Sequence, residues 1–398
     1  MLPRSKEFVM QRLHTKVSAI KRFCQSWFGP SEPACKRPQA KRTVQLNLEE
    51  LEGRQLLSSG GTISAITNVH GQTVAYTIGT DYQVYDAYNG GGWHKLSGNN
   101  AVANFEQVSA GLDNQGKALC YAVEADNGNL WVFQGGYWNP NYVTYSWWGG
   151  LSDNNVNGYD LGGDCLHFRS TMGANRISGT RNGECYVIGE DRTIWVYNYQ
   201  GGSTKLTNPP DATQLSAGVD QWGQDKVYIL DGSGYMMGVN HDRSWQWLRA
   251  SNGSYPRALT ISAGVGTNSS GTDLYYVSAA DASLHFFDGS YDIGMGGKCL
   301  SISASVDRNG WRDCYVIGTD GHLYQHNFWH WADFGEPYGH AVEYLAAAND
   351  DMVFALTDHP GNPAQREIWT FDPNNDWGMW SPWAPSAWQY TQGIAPAW

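Results

Sequence analysis

Cys185-Tyr-Val-Ile-Gly189 and Cys314-Tyr-Val-Ile-Gly318 are one pentapeptide written twice in the same chain. Two residues after each stands an Asp (Asp191, Asp320), and four residues after that an aromatic ring (Trp195, Tyr324). Weaker copies of this frame recur along the sequence, and self-similarity at a fixed period marks a repeat architecture. Turns bearing an acid come at Asp81, Asp126, Asp191, Asp231, Asp281, Asp320 and Asp358, spanning 277 residues with a mean period of about 46. Four or five residues after the Asp comes Tyr85, Trp131, Trp195, Tyr235, His285 or Tyr324, with Trp369 delayed by an insertion. Ahead of each turn an apolar residue leads into small ones: Ile63-Ser-Ala, Val108-Ser-Ala-Gly, Leu215-Ser-Ala-Gly, Ile261-Ser-Ala-Gly, Ile302-Ser-Ala-Ser and Leu345-Ala-Ala-Ala. Phe168-Arg-Ser-Thr is the deviant seventh copy.

The sixth unit shows what one repeat is made of. Residues 300–306, 314–317, 322–326 and 331–334 read as short strands, joined by turns at Asp307-Arg-Asn-Gly310 and Asp320-Gly321, where Asn and Gly tolerate the φ that tight hairpins need. One four-stranded sheet cannot bury both its faces, but sheets stacked radially cover one another. The sequence therefore predicts an all-β chain, a β-propeller of about seven four-stranded blades over 61–384, followed by a tail at 385–398. Ser64, Ala110, Ala217, Ala263, Ala304 and Ala346 are expected on the innermost strands, where small side chains let the blades meet at the axis. Two stretches exceed the repeat: 139–163, between the second and third units, and 360–366, before Trp369. Long loops in compact domains are usually functional.

Composition agrees. The chain has 47 Gly, 19 Trp and 23 Tyr but only 16% charged residues, which suits turns and pleated surfaces and not disorder. The charge is split. Residues 1–60 carry 11 Lys/Arg and 5 Asp/Glu, a net +6, and the remainder carries 15 and 33, a net −18. So acidic a domain repels a phosphate backbone, which disfavours nucleic acid as a partner, and none is expected. No apolar run reaches the roughly 20 residues of a membrane span.

Residues 1–60 contain none of the repeat columns. Phe8, Val9, Leu13, Val17, Ile20, Phe23 and Trp27 recur at helical spacing, and Gly29 and Pro30 follow, so this basic leader is expected to be non-globular apart from a short helix. Within it, Leu48, Glu49, Leu51, Glu52, Arg54, Leu56, Leu57 and Ser58 match the pattern LE-x-LE-x-R-x-LLS, and the stretch resembles the planctomycetal export leader. That resemblance implies a secreted or cell-surface protein, extracytoplasmic, whose mature part begins near Ser59.

The run Ala304-Ser-Val-Asp-Arg-Asn-Gly310 with Tyr315-Val-Ile-Gly-Thr-Asp-Gly-His-Leu-Tyr324 resembles the repeats of tectonin-type and bacterial PLL-type propeller lectins. The likeness covers most of 62–383, closest in the sixth unit and loosest in the third and seventh. It implies a six- or seven-bladed disc that holds sugars, often fucose or its methylated forms, between adjacent blades.

A sugar offers an apolar C–H face and a rim of hydroxyls, so an aromatic ring beside Asp, Asn or Arg is the matching chemistry. In the aromatic column of the best-formed repeats, Trp131, Trp195 and Tyr324 are the candidate ligand-binding residues, while Trp93, Trp138, Trp245, Trp331 and Trp377 lie later in their units. The competing role for each ring is to fill the wedge between two blades. The seven Asp sit at corresponding corners of separate blades, so they suit turn capping and cannot converge on one ion. His322, His326 and His330 are four apart but on a strand and turn, which does not make a zinc site. No nucleophile elbow, phosphate loop or triad appears, so no catalytic residue, metal or cofactor is assigned. Cys165/Cys185 and Cys299/Cys314 invite pairing in an exported protein. Cys299, however, should face a residue near 319, an offset of about five residues, or roughly 16 Å, from Cys314. Cys120, Cys185 and Cys314 therefore read as small buried hydrophobes in equivalent second strands.

These observations point to a non-catalytic, multivalent, exported carbohydrate-binding propeller, with glycans or surface polysaccharide as partners. A protein-interaction scaffold is the second reading. An enzyme is the third, and it requires carboxylates or His converging at the channel mouth.

Overall fold

The computed structural model describes residues 63–382 apart from 80, 89–92, 97–103, 135–157, 164, 166–175, 207–210, 221, 265–272, 290, 308–310, 328, 349–351, 360–361 and 374–380. The leader 1–60 and the tail 385–398 lie outside the described residues.

Seven antiparallel sheets of four strands succeed one another, at 63–95, 105–162, 177–205, 212–247, 258–296, 299–335 and 342–382. Within each, the strands lie side by side in chain order. The first strands are Ile63–Thr67, Phe105–Leu112, Ile177–Gly179, Ala212–Val219, Ala258–Ala263, Cys299–Val306 and Val342–Ala347. Each adjoins the first strand of the next blade, and that of blade seven adjoins that of blade one. The ring is closed, and the fold is a seven-bladed β-propeller. Ser64, Ala110, Ala217, Ala263, Ala304 and Ala346 all lie on the inner strands, as the sequence predicts.

Position within the sheet decides composition. Second strands are covered on both faces, so Thr73–Ile78 and Leu274–Ser278 are buried at every residue and hold no charged side chain. The outer strand Ser203–Lys205 is exposed at every residue and is polar. The core is laid in wedges between blades. One sets Tyr315, Ile317 and Leu323 of blade six against Val342, Leu345 and Val353 of blade seven. The closing wedge sets Ile63, Ala75 and Ala87 of blade one against Tyr344, Phe354 and Leu356 of blade seven.

The small residues at the axis also carry a hydrogen-bond ring. Ser64, Ser109, Ser178, Ser216, Ser262 and Ser303 occupy one position on the inner strands of blades one to six. Each Oγ accepts the backbone N–H of the next blade's inner strand, from Ala110, Gly179, Ala217, Ala263 and Ala304 at 2.9 Å and from Ala347 at 3.0 Å. An inner strand is a sheet edge, with alternate N–H groups outside the ladder, and the hydroxyl satisfies what would otherwise be an unpaired donor. Blade seven has Ala346 at this position, so Ala65 of blade one meets no hydroxyl. Ala346→Ser should supply the seventh acceptor. One added hydrogen bond is worth about 1 kcal/mol, or a rise of roughly 2 °C in melting temperature. A scanning calorimetry midpoint that stays put or falls would show that the hydroxyl does not reach Ala65.

Three expectations change in detail. The inner strand of blade three is Ile177–Gly179 and not Phe168-Arg-Ser-Thr, because residues inserted ahead of it shift the strand nine positions from the repeat frame. The third strand of blade four is Met236–Val239, so Met237 stands where Trp195 and Tyr324 stand and Tyr235 lies two residues ahead. Asp231 directly follows Leu230, the last residue of its strand to pair with the third strand, whereas Asp191 and Asp320 come three residues after the equivalent Ile188 and Ile317; counting from the Asp displaces the frame. The outer strand of blade two is Gly158–Gly162, so the extra residues enter that blade between its third and fourth strands and not between blades. The extra length before Trp369 lies in a long hairpin, as expected, with Val353–His359 and Asn362–Phe371 paired out to His359 and Asn362.

The five described cysteines are free and buried. Cys299 pairs with Gly318, and Cys120, Cys185 and Cys314 hold one position in the second strands of blades two, three and six.

Candidate functional site

The turn between the second and third strands positions the candidate rings. Asp81, Asp191, Asp231, Asp281 and Asp320 each accept the backbone N–H two residues on, at 2.8–3.2 Å. In blade two Asn127, and not Asp126, does this for Asn129 at 2.9 Å. The Asp column is turn chemistry. In blades one, three and six the carboxylate also accepts from the hydroxyl of the column ring or from a lysine of the outer strand. Asp81 accepts from the Tyr85 hydroxyl and from Lys95, both at 2.9 Å, Asp191 from Lys205 at 2.6 Å, and Asp320 from the Tyr324 hydroxyl at 2.7 Å.

Trp195 is half-buried. Lys205 faces it from the outer strand, with Nζ 5.4 Å from the ring centre. The ammonium of Lys205 and the hydroxyl of Thr193 hold the Asp191 carboxyl down at about 2. An aromatic face thus lies beside fixed charges of both signs, which can donate to and accept from a bound hydroxyl.

Tyr324 is also half-buried. The hydrogen bond to Asp320 pushes its hydroxyl up to about 12, so it stays a donor at neutral pH. His322 stacks on Tyr324 with ring centres 6.1 Å apart, and its Nδ1 is 3.1 Å from Asp333 Oδ1. Trp331 meets Tyr324 edge-on at 6.2 Å, and its Nε1 donates to the Met295 carbonyl of blade five at 3.0 Å. The cluster therefore bridges the groove between blades five and six.

Trp131 stands at the same place in blade two but belongs to the core. It is 8% exposed, edge-on to Phe105 at 5.9 Å and stacked on Phe133 at 6.2 Å. Its Nε1 donates to Glu124 Oε2 at 3.1 Å. Neither ring face is open to a ligand. In blade five the column residue His285 is locked in a polar network. Asp292 Oδ1 accepts from the Tyr276 hydroxyl at 2.6 Å and lies 2.8 Å from His285 Nδ1. Burial opposes the Asp292 charge, but these two partners outweigh it and hold the carboxyl below its usual range.

One cluster lies off the column. Tyr235 and Trp247, both exposed, meet edge-on at 6.3 Å. Arg257, just ahead of blade five, lies 5.3 Å above Tyr235 and donates from Nε to the Ser233 carbonyl at 2.9 Å. The alternation Trp245-Gln-Trp247 on an outer strand, which puts both rings on one face, is the sequence signal for it. Trp93 is half-buried in the closing wedge. Trp138, Trp147, Trp148 and Trp377 lie outside the described residues.

A cavity of about 180 Å³ runs along the axis, lined by the inner strands of all seven blades. Its described lining is Ser, Thr, Ala, Gly and aliphatic residues with one charge, Arg181; no carboxylate or His lines it. The convergent acid–base groups that a channel-mouth enzyme needs are not in that lining. Among the described residues no three His, Cys, Asp or Glu come together as a metal site, and no helix is long and apolar enough to cross a membrane.

No protein-family model matches the chain, and no curated protein is similar to it. Among solved structures, the BP39L lectin from Burkholderia pseudomallei is 11% identical, over 82% of this chain and 99% of its own, with a TM-score of 0.50. BBS1N in complex with ARL6DN is 10% identical, over 80% of this chain and 93% of its own, with a TM-score of 0.50. A Mycobacterium tuberculosis puromycin-hydrolyzing peptidase is 12% identical, over 80% of this chain and 52% of its own, also at 0.50. Likeness at such identity speaks for the fold, which hosts unrelated functions.

Proposed function

We propose that this chain is a non-catalytic, exported carbohydrate-binding propeller of the tectonin and PLL type, with sugar sites in the grooves at Trp195 and Tyr324 and a third at Tyr235, Trp247 and Arg257. The observation that carries the reading is a half-open aromatic ring edged by Asp at the same strand position in blades three and six. The BP39L propeller, similar in fold, is named a lectin. Grooves repeated on one rigid disc act together, so weak single sites give useful avidity toward a surface that displays many copies of a glycan.

A glycan array with the full chain tests this. Trp195→Ala and Tyr324→Ala each remove one stacking platform, worth about 1–1.5 kcal/mol, so each should weaken binding to the recognised glycan roughly tenfold while the protein stays folded. An array with no signal, or variants that bind like the parent, would remove the basis of the proposal.

A further inference from the structure

Strands that alternate in direction send the turns between first and second strands, and between third and fourth, to one face of the disc. The turns that hold the grooves lie on the opposite face. Among the described residues four exposed aromatic side chains stand on the first face: Trp222 is 67% exposed, Tyr291 59%, Trp311 69% and Trp329 77%. Trp222 is on the first turn of blade four, Tyr291 on the last turn of blade five, and Trp311 and Trp329 on both such turns of blade six. They form an arc over three consecutive blades.

The backbone that carries each ring is tied into its turn. The backbone N–H of the ring-bearing residue donates to the side-chain oxygen that opens its turn: Trp222 to Asp220 at 2.9 Å, Tyr291 to Asp288 at 2.8 Å, Trp311 to Asp307 at 2.7 Å and Trp329 to Asn327 at 3.4 Å. Ser233 and Ser283 fill the same role in turns on the other face, so turn geometry does not call for an aromatic side chain. Leaving an indole in water forgoes its burial, and clustered exposed apolar groups mark interaction surfaces.

We infer that this arc is a second binding surface, for an extended, neutral, β-linked polysaccharide lying across the disc. It rests on the carbohydrate-binding reading and enlarges it from sugars held in grooves to a polymer held on a face. Trp222, Tyr291 and Trp311 rise from turns whose other residues are Asp, Asn, Gln, Ser, Arg and Gly, and Trp329 from a turn that also holds Asn327, Phe328 and His330; rings set mostly among polar groups fit a ligand with apolar ring faces and hydroxyl edges better than a continuous apolar surface. Neighbouring strands are about 4.8 Å apart, so the two turns of blade six that carry Trp311 and Trp329 are separated by about 10 Å, close to the length of a disaccharide unit. Residues 61–398 carry a net −18, and Asp stands at the foot of three of the four rings, so uronate-rich or sulfated chains and anionic membranes are repelled.

The test is sedimentation of the full chain with microcrystalline cellulose and with chitin particles, with phosphatidylcholine vesicles in parallel and the glycan array repeated on the same samples. Trp222, Trp311 and Trp329 are exposed, so their combined replacement by Ala should leave the melting temperature unchanged. The parent should bind one of the two polymers, and the triple variant should bind it at least tenfold less while keeping its array profile. Trp195→Ala should keep polymer binding. A triple variant that binds the polymer undiminished, or a parent that binds the array but neither polymer, overturns the arc and leaves the grooves standing. A parent that binds neither array nor polymer overturns both. Vesicle binding lost in the triple variant, without polymer binding, gives the arc to a membrane surface and overturns the inference.

Discussion

Trp131→Ala should lower the stability of the propeller by about 3–5 kcal/mol, the usual cost of truncating a large buried aromatic, and leave glycan binding per folded molecule unchanged. The indole belongs to the wedge between blades one and two, with Ile66, Val74 and Tyr76 on one side and Phe105 and Phe133 on the other. Deleting it leaves a cavity that rigid strands cannot close, and it also strands the Glu124 carboxylate that accepts from Nε1. Trp131→Phe should cost less, since most of the volume stays. Urea unfolding gives the stability, and the array gives the binding. A Trp131→Ala protein of parental stability that loses a glycan would return this ring to the list of ligand-binding residues.

Breaking the buried ion pair between blades two and three should cost as much. Glu106 sits where the inner strand of blade two is bulged, between Phe105 and Gln107, and a bulge re-aims its side chain. Arg176 immediately precedes the inner strand of blade three, and its Nη1 lies 3.6 Å from Glu106 Oε1 with both side chains buried. Burial pulls the Arg176 pKa down, with Glu106 and Glu190 pulling it back. Arg176→Ala or Glu106→Ala leaves a charge away from water, about 3–5 kcal/mol, whereas Glu106→Leu with Arg176→Met removes both and should come out near neutral or better. Denaturant unfolding of the two Ala variants and their double gives the coupling energy. Strictly additive Ala variants would show that the two charges are satisfied separately.

The propeller was legible in the sequence because its period is written in turn chemistry. The Asp that caps the second turn and the Ser or small residue at the axis are required in almost every blade, so they recur. What the repeat could not show is which ring stays open. Trp131, Trp195 and Tyr324 share one strand position, yet one is core and two are half-open. Their exposure is set by what the adjoining strand and blade lay against them, Phe105 and Phe133 in one case and Lys205 or Asp333 in the others. These neighbours lie outside the repeated columns. Tyr235 shows the complementary failure, since a two-residue difference in where the Asp falls moves an aromatic off the column while the spacing still looks right. Trp222, Trp311 and Trp329 were invisible to column counting because turns between strands tolerate nearly any residue, and only their exposure singles them out.

No blade borrows a strand from another, since each sheet is completed by four successive segments. Every ladder therefore closes over a short length of chain, which keeps contact order low and lets blades form early and separately. Stacking one blade on the next then proceeds as in a linear solenoid, through nearest-neighbour interfaces. The join of blade seven to blade one is different in kind. It bridges the whole described ring, so its loop-closure entropy is the largest, and it is the joint where Ala346 leaves Ala65 without a hydroxyl. The disc behaves as a row of units bent into a circle and fastened by one clasp. Sub-global opening is expected to begin at that clasp, and hydrogen exchange should find the amide of Ala65 at the fast end among the inner strands.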